Sequence, residues 1–151
     1  MRFPRPLFRV DNSPLREAAS EGTPLDLSRA TKLRHVEFVY ESPRVQWIIA
    51  TLRTAKTKTL QSISLAISYR AIIRAFHIEA IRQEWSSLDQ LLVQIWTLHS
   101  LRPKLSHDRV VNLEIQSAKI ILGKLLPEST RRGIVDLVED HPVHWSWAVR
   151  L

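Results

Sequence analysis

Two His-x-Glu tripeptides, His35-Val36-Glu37 and His77-Ile78-Glu79, come closest in this chain to the spacing of a catalytic motif. In zinc deaminases such a tripeptide supplies one imidazole ligand and a general acid/base, while a Pro-Cys-x-x-Cys segment supplies the remaining ligands. The sequence contains no cysteine. That removes the deaminase site, thiolate zinc centres, disulfides and a cysteine nucleophile together. His35 then reads as an exposed strand residue and His77 as a solvated helix residue. His141-Pro142-Val143-His144 holds two more imidazoles, but the intervening proline prevents the i, i+4 geometry of a helical zinc pair and no third ligand is obvious. No metal or other cofactor is expected.

With three glycines against eight prolines the chain has no material for a Gly-rich phosphate loop, and no Gly-x-Ser-x-Gly, Walker or dinucleotide fingerprint occurs. The serines fall mostly at caps and strand surfaces, where hydroxyls bond backbone, and none has a His and an acid in a recognised order. Arg131-Arg132-Gly133 has the composition of an anion site, but reads better as a helical turn carrying two solvated arginines. The chain is therefore expected not to be an enzyme.

The formal charge of +7 is uneven, because residues 1–60 hold 11 basic and 6 acidic side chains. Such a field attracts nucleic acid, acidic membrane or an acidic protein. Arg53, Lys56 and Lys58 with the N-terminal arginines would carry a basic nucleic-acid-binding module, although positive charge at a helix C-terminus is also favoured by the helix dipole alone. A hydrophobic content of 44% is too high for intrinsic disorder and suits one domain at this length. Arg, Lys or Gln interrupts every apolar stretch well before the ~18 residues of a membrane span. The opening residues lack the apolar core of a secretory signal, and Pro4 and Pro6 spoil the amphipathic helix of a transit peptide, so cytoplasm or nucleus is the default location.

A leucine-spaced phrase carries the architecture. Leu33, Val36 and Phe38 are echoed by Leu60, Ile63 and Leu65, each 27 residues later. A unit of this length with L-x-x-L-x-L spacing marks a leucine-rich repeat, whose strand and helix bury their apolar faces only by stacking on neighbours. Residues 1–24, with Pro4, Pro6, Pro14, Gly22 and Pro24, are predicted to be an extended lead-in. A first strand is expected over 34–40 and a helix over 43–56, opened by Ser42-Pro43 and buried through Val45, Ile48, Ile49 and Leu52. A second strand follows over 60–67 and an amphipathic helix over 69–84.

Ser87 with Gln90 forms a capping box for a further helix to about His99, and Trp85 and Trp96 are expected on one packed face. Leu101 to Leu105 reads as a third strand, but Pro103 confines it to an edge or to an extended segment. Asp108 is placed to cap a helix with a Val111, Ile115, Ala118, Leu122, Leu125 seam. A short helix from Pro127 would bury Ile134, Leu137 and Val138, and Asp140-His141-Pro142 would stop it. Residues 141–151 form a Trp-containing tail.

The order LDLSRATKLRHVEF, a WI-containing helix, LQSISL, LLVQIW with LRPKL, and LLPESTRRGIVDLVE resembles the C-terminal leucine-rich-like region of fungal F-box-type proteins over about residues 25–139. The resemblance implies the substrate-recognition part of a ubiquitin-ligase adaptor, here without room before residue 25 for the helical F-box. The helical pattern of 69–84 and the ending HWSWAVRL depart from that family. The expectation is an α/β domain over 25–140 of short, degenerate leucine-rich-repeat type: two or three parallel strands, helices on one side, and a helical C-terminal cap. Its function would be protein recognition through the outward side chains Arg34, Glu37, Gln61, Ser64, Arg102 and Lys104.

Overall fold

A computed structural model describes residues 7–10, 25–39, 43–55, 59–106 and 112–140. Its sheet runs β1 (Leu7–Val10), β2 (His35–Val39), β3 (Ser62–Ser68), β4 (Ser100–Ser106) and β5 (Val138–Asp140), in that spatial order. β2 to β5 are parallel and β1 pairs antiparallel with β2 along one edge. The chain is thus α/β with parallel strands and helices packed on them, and the sheet extends by one strand beyond the expected set on each side. Part of the predicted lead-in supplies β1.

The 27-residue echo is the register itself. Val36 lies beside Ile63 and Phe38 beside Leu65, so each residue of β2 neighbours the one 27 positions later. The next offset is 38, from Ser62 to Ser100, and the last is 34, from Lys104 to Val138. The strand is repeated while the crossover varies in length. A small device recurs with it: Thr59 Oγ1 donates to the Leu33 carbonyl and Thr97 Oγ1 to the Leu60 carbonyl, both at 2.7 Å. Each turn entering a strand is tied to the turn before it.

Sequential order of the parallel strands β2 to β5, with crossovers of one hand, puts their helices on the same face. The crossovers are α1 (Gln46–Thr54), α2 (Tyr69–His77) with α3 (Glu79–Gln94), and α4 (Asn112–Leu125) with α5 (Pro127–Arg131). Val36, Phe38, Ile63, Leu65, Ile67, Leu101 and Leu105 point into one core with Ile48, Leu52, Ile72, Trp85, Leu88, Leu92, Leu122 and Leu125. The Trp47 ring meets Phe38 edge-on at 5.9 Å, fixing α1 against β2.

Several expectations are corrected. α1 starts at Gln46, not near Pro43, because the Pro43 carbonyl accepts the Trp85 indole N–H at 2.8 Å and the chain is still bending there. The helix break falls at Ile78 instead of between residues 84 and 87. α2 packs on β3 and α4 while α3 packs on α1 and α5, so the apolar stripe must be re-aimed at that corner. Ser87 is no cap: its hydroxyl donates back to the Gln83 carbonyl at 3.2 Å in mid-helix, as serine does one turn on. Trp85 is fully buried, but α3 ends at Gln94 and leaves Trp96 79% exposed in the following turn, so the two do not share a packed face.

Pro103 sits in an interior strand. The Leu101 N–H bonds the Ile134 carbonyl and the Leu101 carbonyl accepts from Asp136, so odd-numbered residues of β4 turn their backbone groups toward β5. The donor that Pro103 lacks therefore falls between the Leu101–Val135 bridge and the start of β5, where the ladder is interrupted, and the β3–β4 ladder runs unbroken. The final short helix also ends early. Gly133, at φ 73°, closes it with the Gly133 N–H on the Thr130 carbonyl and the Ile134 N–H on the Ser129 carbonyl, a Schellman end. Ile134, Leu137 and Val138 are consequently extended chain. Ser42, Lys56, Lys58, Asp108, Val111, most of the lead-in, the stop at His141-Pro142, the His141/His144 pair and the Trp-containing tail lie outside the described residues.

Candidate protein-recognition face

Among the described residues, one-sided crossovers leave the second face of the sheet without helices. By strand parity β2 presents His35 and Glu37 there, β3 presents Ser62, Ser64, Ala66 and Ser68, and β4 presents Ser100, Arg102 and Lys104. Lys104 Nζ reaches Glu37 Oε1 at 3.1 Å, with side-chain exposures of 28% and 17%. The two residues belong to β4 and β2, so the ion pair spans the intervening β3, about 10 Å of sheet at the usual strand spacing. Small side chains on β3 permit this. Ser64 and Ala66 are each 2% exposed, lying low between longer neighbours.

His35 Nδ1 and Ser62 Oγ share a hydrogen bond at the lower end of the same face. His35 and Glu37 are therefore neighbours on one strand face, each engaged across the sheet with a different residue. Among the described residues no three metal-ligating side chains gather. His77 and Glu79 flank the α2–α3 corner, both exposed, with the Phe76 ring against His77 at 5.5 Å.

The six residues expected to recognise a partner separate into three groups. Glu37 and Lys104 are joined to each other, and Arg102 stands exposed beside them. Ser64 has the expected direction but is buried. Arg34 and Gln61 are exposed, yet they precede β2 and β3, where strand alternation does not govern them; they sit on the edge where the strands begin. Arg53 is exposed in the last turn of α1.

Sequence reasoning missed two buried carboxylates, both on α3. Asp89, 2% exposed, accepts from the Glu128 N–H at 3.0 Å, the Ser129 N–H at 2.8 Å and the Ser129 hydroxyl. Glu84 accepts from the Val45 N–H at 3.3 Å and pairs with Arg44 at 3.5 Å. Each carboxylate satisfies the orphan donors at the start of another helix, α5 and α1 respectively. A weak signal for this exists in the sequence: Val45 and Leu126, the residues before these helices, have no side chain able to cap them. Among the described residues no helix is long and apolar enough to cross a membrane. No protein-family model matches the chain, and no curated protein or solved structure matches it.

Proposed function

We propose that this chain is a non-catalytic protein-recognition domain, and that its partner docks on the helix-free face of the parallel sheet across Glu37, Arg102 and Lys104. The observation that carries this reading is a sheet face that no described helix covers: the crossovers place the helices opposite, and polar side chains of three adjacent strands stand in register on the other side. A partner acid or base can compete for this ion pair, because both side chains, 28% and 17% exposed, can still be reached from solvent. The resemblance to the leucine-rich-like region of F-box-type proteins supports the same surface and suggests the substrate-binding part of a ubiquitin-ligase adaptor, acting in cytoplasm or nucleus.

Charge reversal tests it. Glu37→Arg and Lys104→Glu each place like charges across β3 and should abolish capture of the physiological partner, whereas Lys119→Glu on the exposed side of α4 should not. Unchanged partners with both sheet variants would remove this surface from consideration.

A further inference from the structure

We propose that the turns entering the parallel strands form a second surface, which binds a single-stranded polynucleotide by stacking a base on Trp96 and holding phosphates with Lys32, Arg34 and Arg132. This goes beyond recognition by the sheet face and uses a different edge of the molecule.

The turns are laid side by side by their own hydrogen bonds. The Gln61 N–H donates to the Arg34 carbonyl and the His99 N–H to the Gln61 carbonyl, both at 2.8 Å. Thr97 is held to Leu60, and Arg132 Nη1 donates to the Val93 carbonyl at 2.7 Å in the last turn of α3. Along this edge the chain thus presents Lys32 and Arg34, then Gln61, then Trp96 and His99, then Arg132, at roughly one strand spacing of ~4.8 Å per step. All six are exposed.

Among the described residues Trp96 has no packing role that accounts for it. Its neighbours Ile95 and Leu98 are 4% and 6% exposed and anchor the turn, while the indole is left 79% exposed. The edge is also positive. Lys32, Arg34 and Arg132 have no ion-pair partner among the described residues; Glu128 is taken by Arg131 and Glu37 by Lys104, and the exposed carboxylates of Asp26, in the turn entering β2 with Arg29 beside it, and Asp136, beside Arg102 in the continued register, leave the cations in excess.

The type of ligand follows from the indole. An aromatic face carries negative quadrupole charge, so a carboxylate gains nothing from lying against it. A nucleobase does gain, since it stacks on such a face while cations beside it hold the backbone, and only a single strand offers its bases free. Basic side chains alone would fit an acidic peptide equally well. Trp96 among them favours the polynucleotide.

The test is fluorescence anisotropy of the full chain with labelled oligouridylate, begun at about 50 mM salt. Wild type should bind, with log Kobs falling against log salt at a slope of about −2, the value for three phosphates on a single strand. Trp96→Ala should weaken binding roughly 5- to 150-fold with the slope unchanged, the loss of one stacked base. Lys32→Ala with Arg34→Ala should flatten the slope by about 1.4. Lys104→Glu, on the sheet face, should bind as wild type, so this result and the partner-capture result fail separately. No anisotropy change at low salt, or full affinity in Trp96→Ala, overturns the proposal. So does a polyglutamate peptide that binds this edge as tightly as the oligonucleotide and with the same dependence on Trp96.

Discussion

The two sides of the sheet use carboxylates differently. On the helical side Asp89 and Glu84 project from α3 and accept backbone N–H groups from the first turn of a neighbouring helix. On the free side Glu37 accepts a lysine ammonium across a strand. A backbone donor at a helix start cannot turn away, so removing its acceptor leaves a buried group unsatisfied. A lysine can swing into water. The first arrangement builds the fold, and the second leaves a surface that a partner can rearrange.

Asp89→Ala should break this contrast most severely if the contrast is wrong. It strips three acceptor contacts from α5 in a site with no water access through Asp89 itself, at about 3 kcal/mol or more in total. Urea unfolding should show the midpoint falling with an unchanged slope, and Asp89→Asn, which keeps one acceptor oxygen, should recover part of the loss. A destabilisation no larger than that of a surface substitution would mean that α5 does not depend on this cap. Glu84→Ala comes next, at about 1–2 kcal/mol for the Val45 N–H. The Arg44 pair adds little to that figure, since Arg44 is 58% exposed.

These two residues also mark where sequence reading stops. Leu33, Val36 and Phe38 repeat as Leu60, Ile63 and Leu65 because parallel strands of one sheet bury the same face, so a pattern in the chain becomes a register in space. A second echo was equally legible and was overlooked: Thr59-Leu60-Gln61-Ser62 and Thr97-Leu98-His99-Ser100 are the same strand entry, 38 residues apart, but two helices intervene and break the expected period. Pro103 points by the general rule to an edge strand or an extended segment, yet β4 is interior, because the missing donor faces only the β5 side, where the ladder is interrupted. The link from Asp89 to Ser129 spans 40 residues and is not marked locally on α3, where Asp89 stands beside Gln90 and near Ser86 and Ser87 with nothing in the sequence to single it out. The sheet-face residues were reached by alternation, which holds for Glu37, Ser64, Arg102 and Lys104 inside strands and lapses at Arg34 and Gln61 outside them. Alternation gives direction only; the burial of Ser64 depends on which neighbours are long.

The sheet-face pair sharpens the comparison from the other side. A double-mutant cycle on Glu37→Gln and Lys104→Met, followed by urea unfolding, should give a coupling of about 0.5–1 kcal/mol, that of a half-exposed ion pair. A coupling as large as the Asp89 effect would mean that Glu37 and Lys104 are part of the architecture and poorly suited to exchange with a partner.

The smallest effect isolates burial. Asp26 receives donors of the same kinds as Asp89, a serine hydroxyl and a serine N–H, here both from Ser28, with the N–H at 2.9 Å. It sits on an exposed turn. The Ser28 side-chain hydrogen bond, then its backbone hydrogen bond, hold the Asp26 carboxyl below its ordinary value of 3.8. A depressed folded-state pKa means that the ionised form favours folding, with the contribution fully present above the unfolded value and lost as pH falls through the folded one. Its loss is therefore confined to the acid side of 3.8, and at neutral pH the contribution is present in full, though small because the carboxyl is exposed. Ser28→Ala removes the hydroxyl and keeps the N–H, so the Asp26 carboxyl, followed by carbon-13 NMR, should titrate at a higher pH than in wild type, while the urea midpoint at neutral pH falls only slightly, far less than in Asp89→Ala. If Ser28→Ala instead destabilised the neutral protein as much as Asp89→Ala does, the donors and not the burial would set the scale, and the distinction between the two sides of the sheet would lose its physical basis.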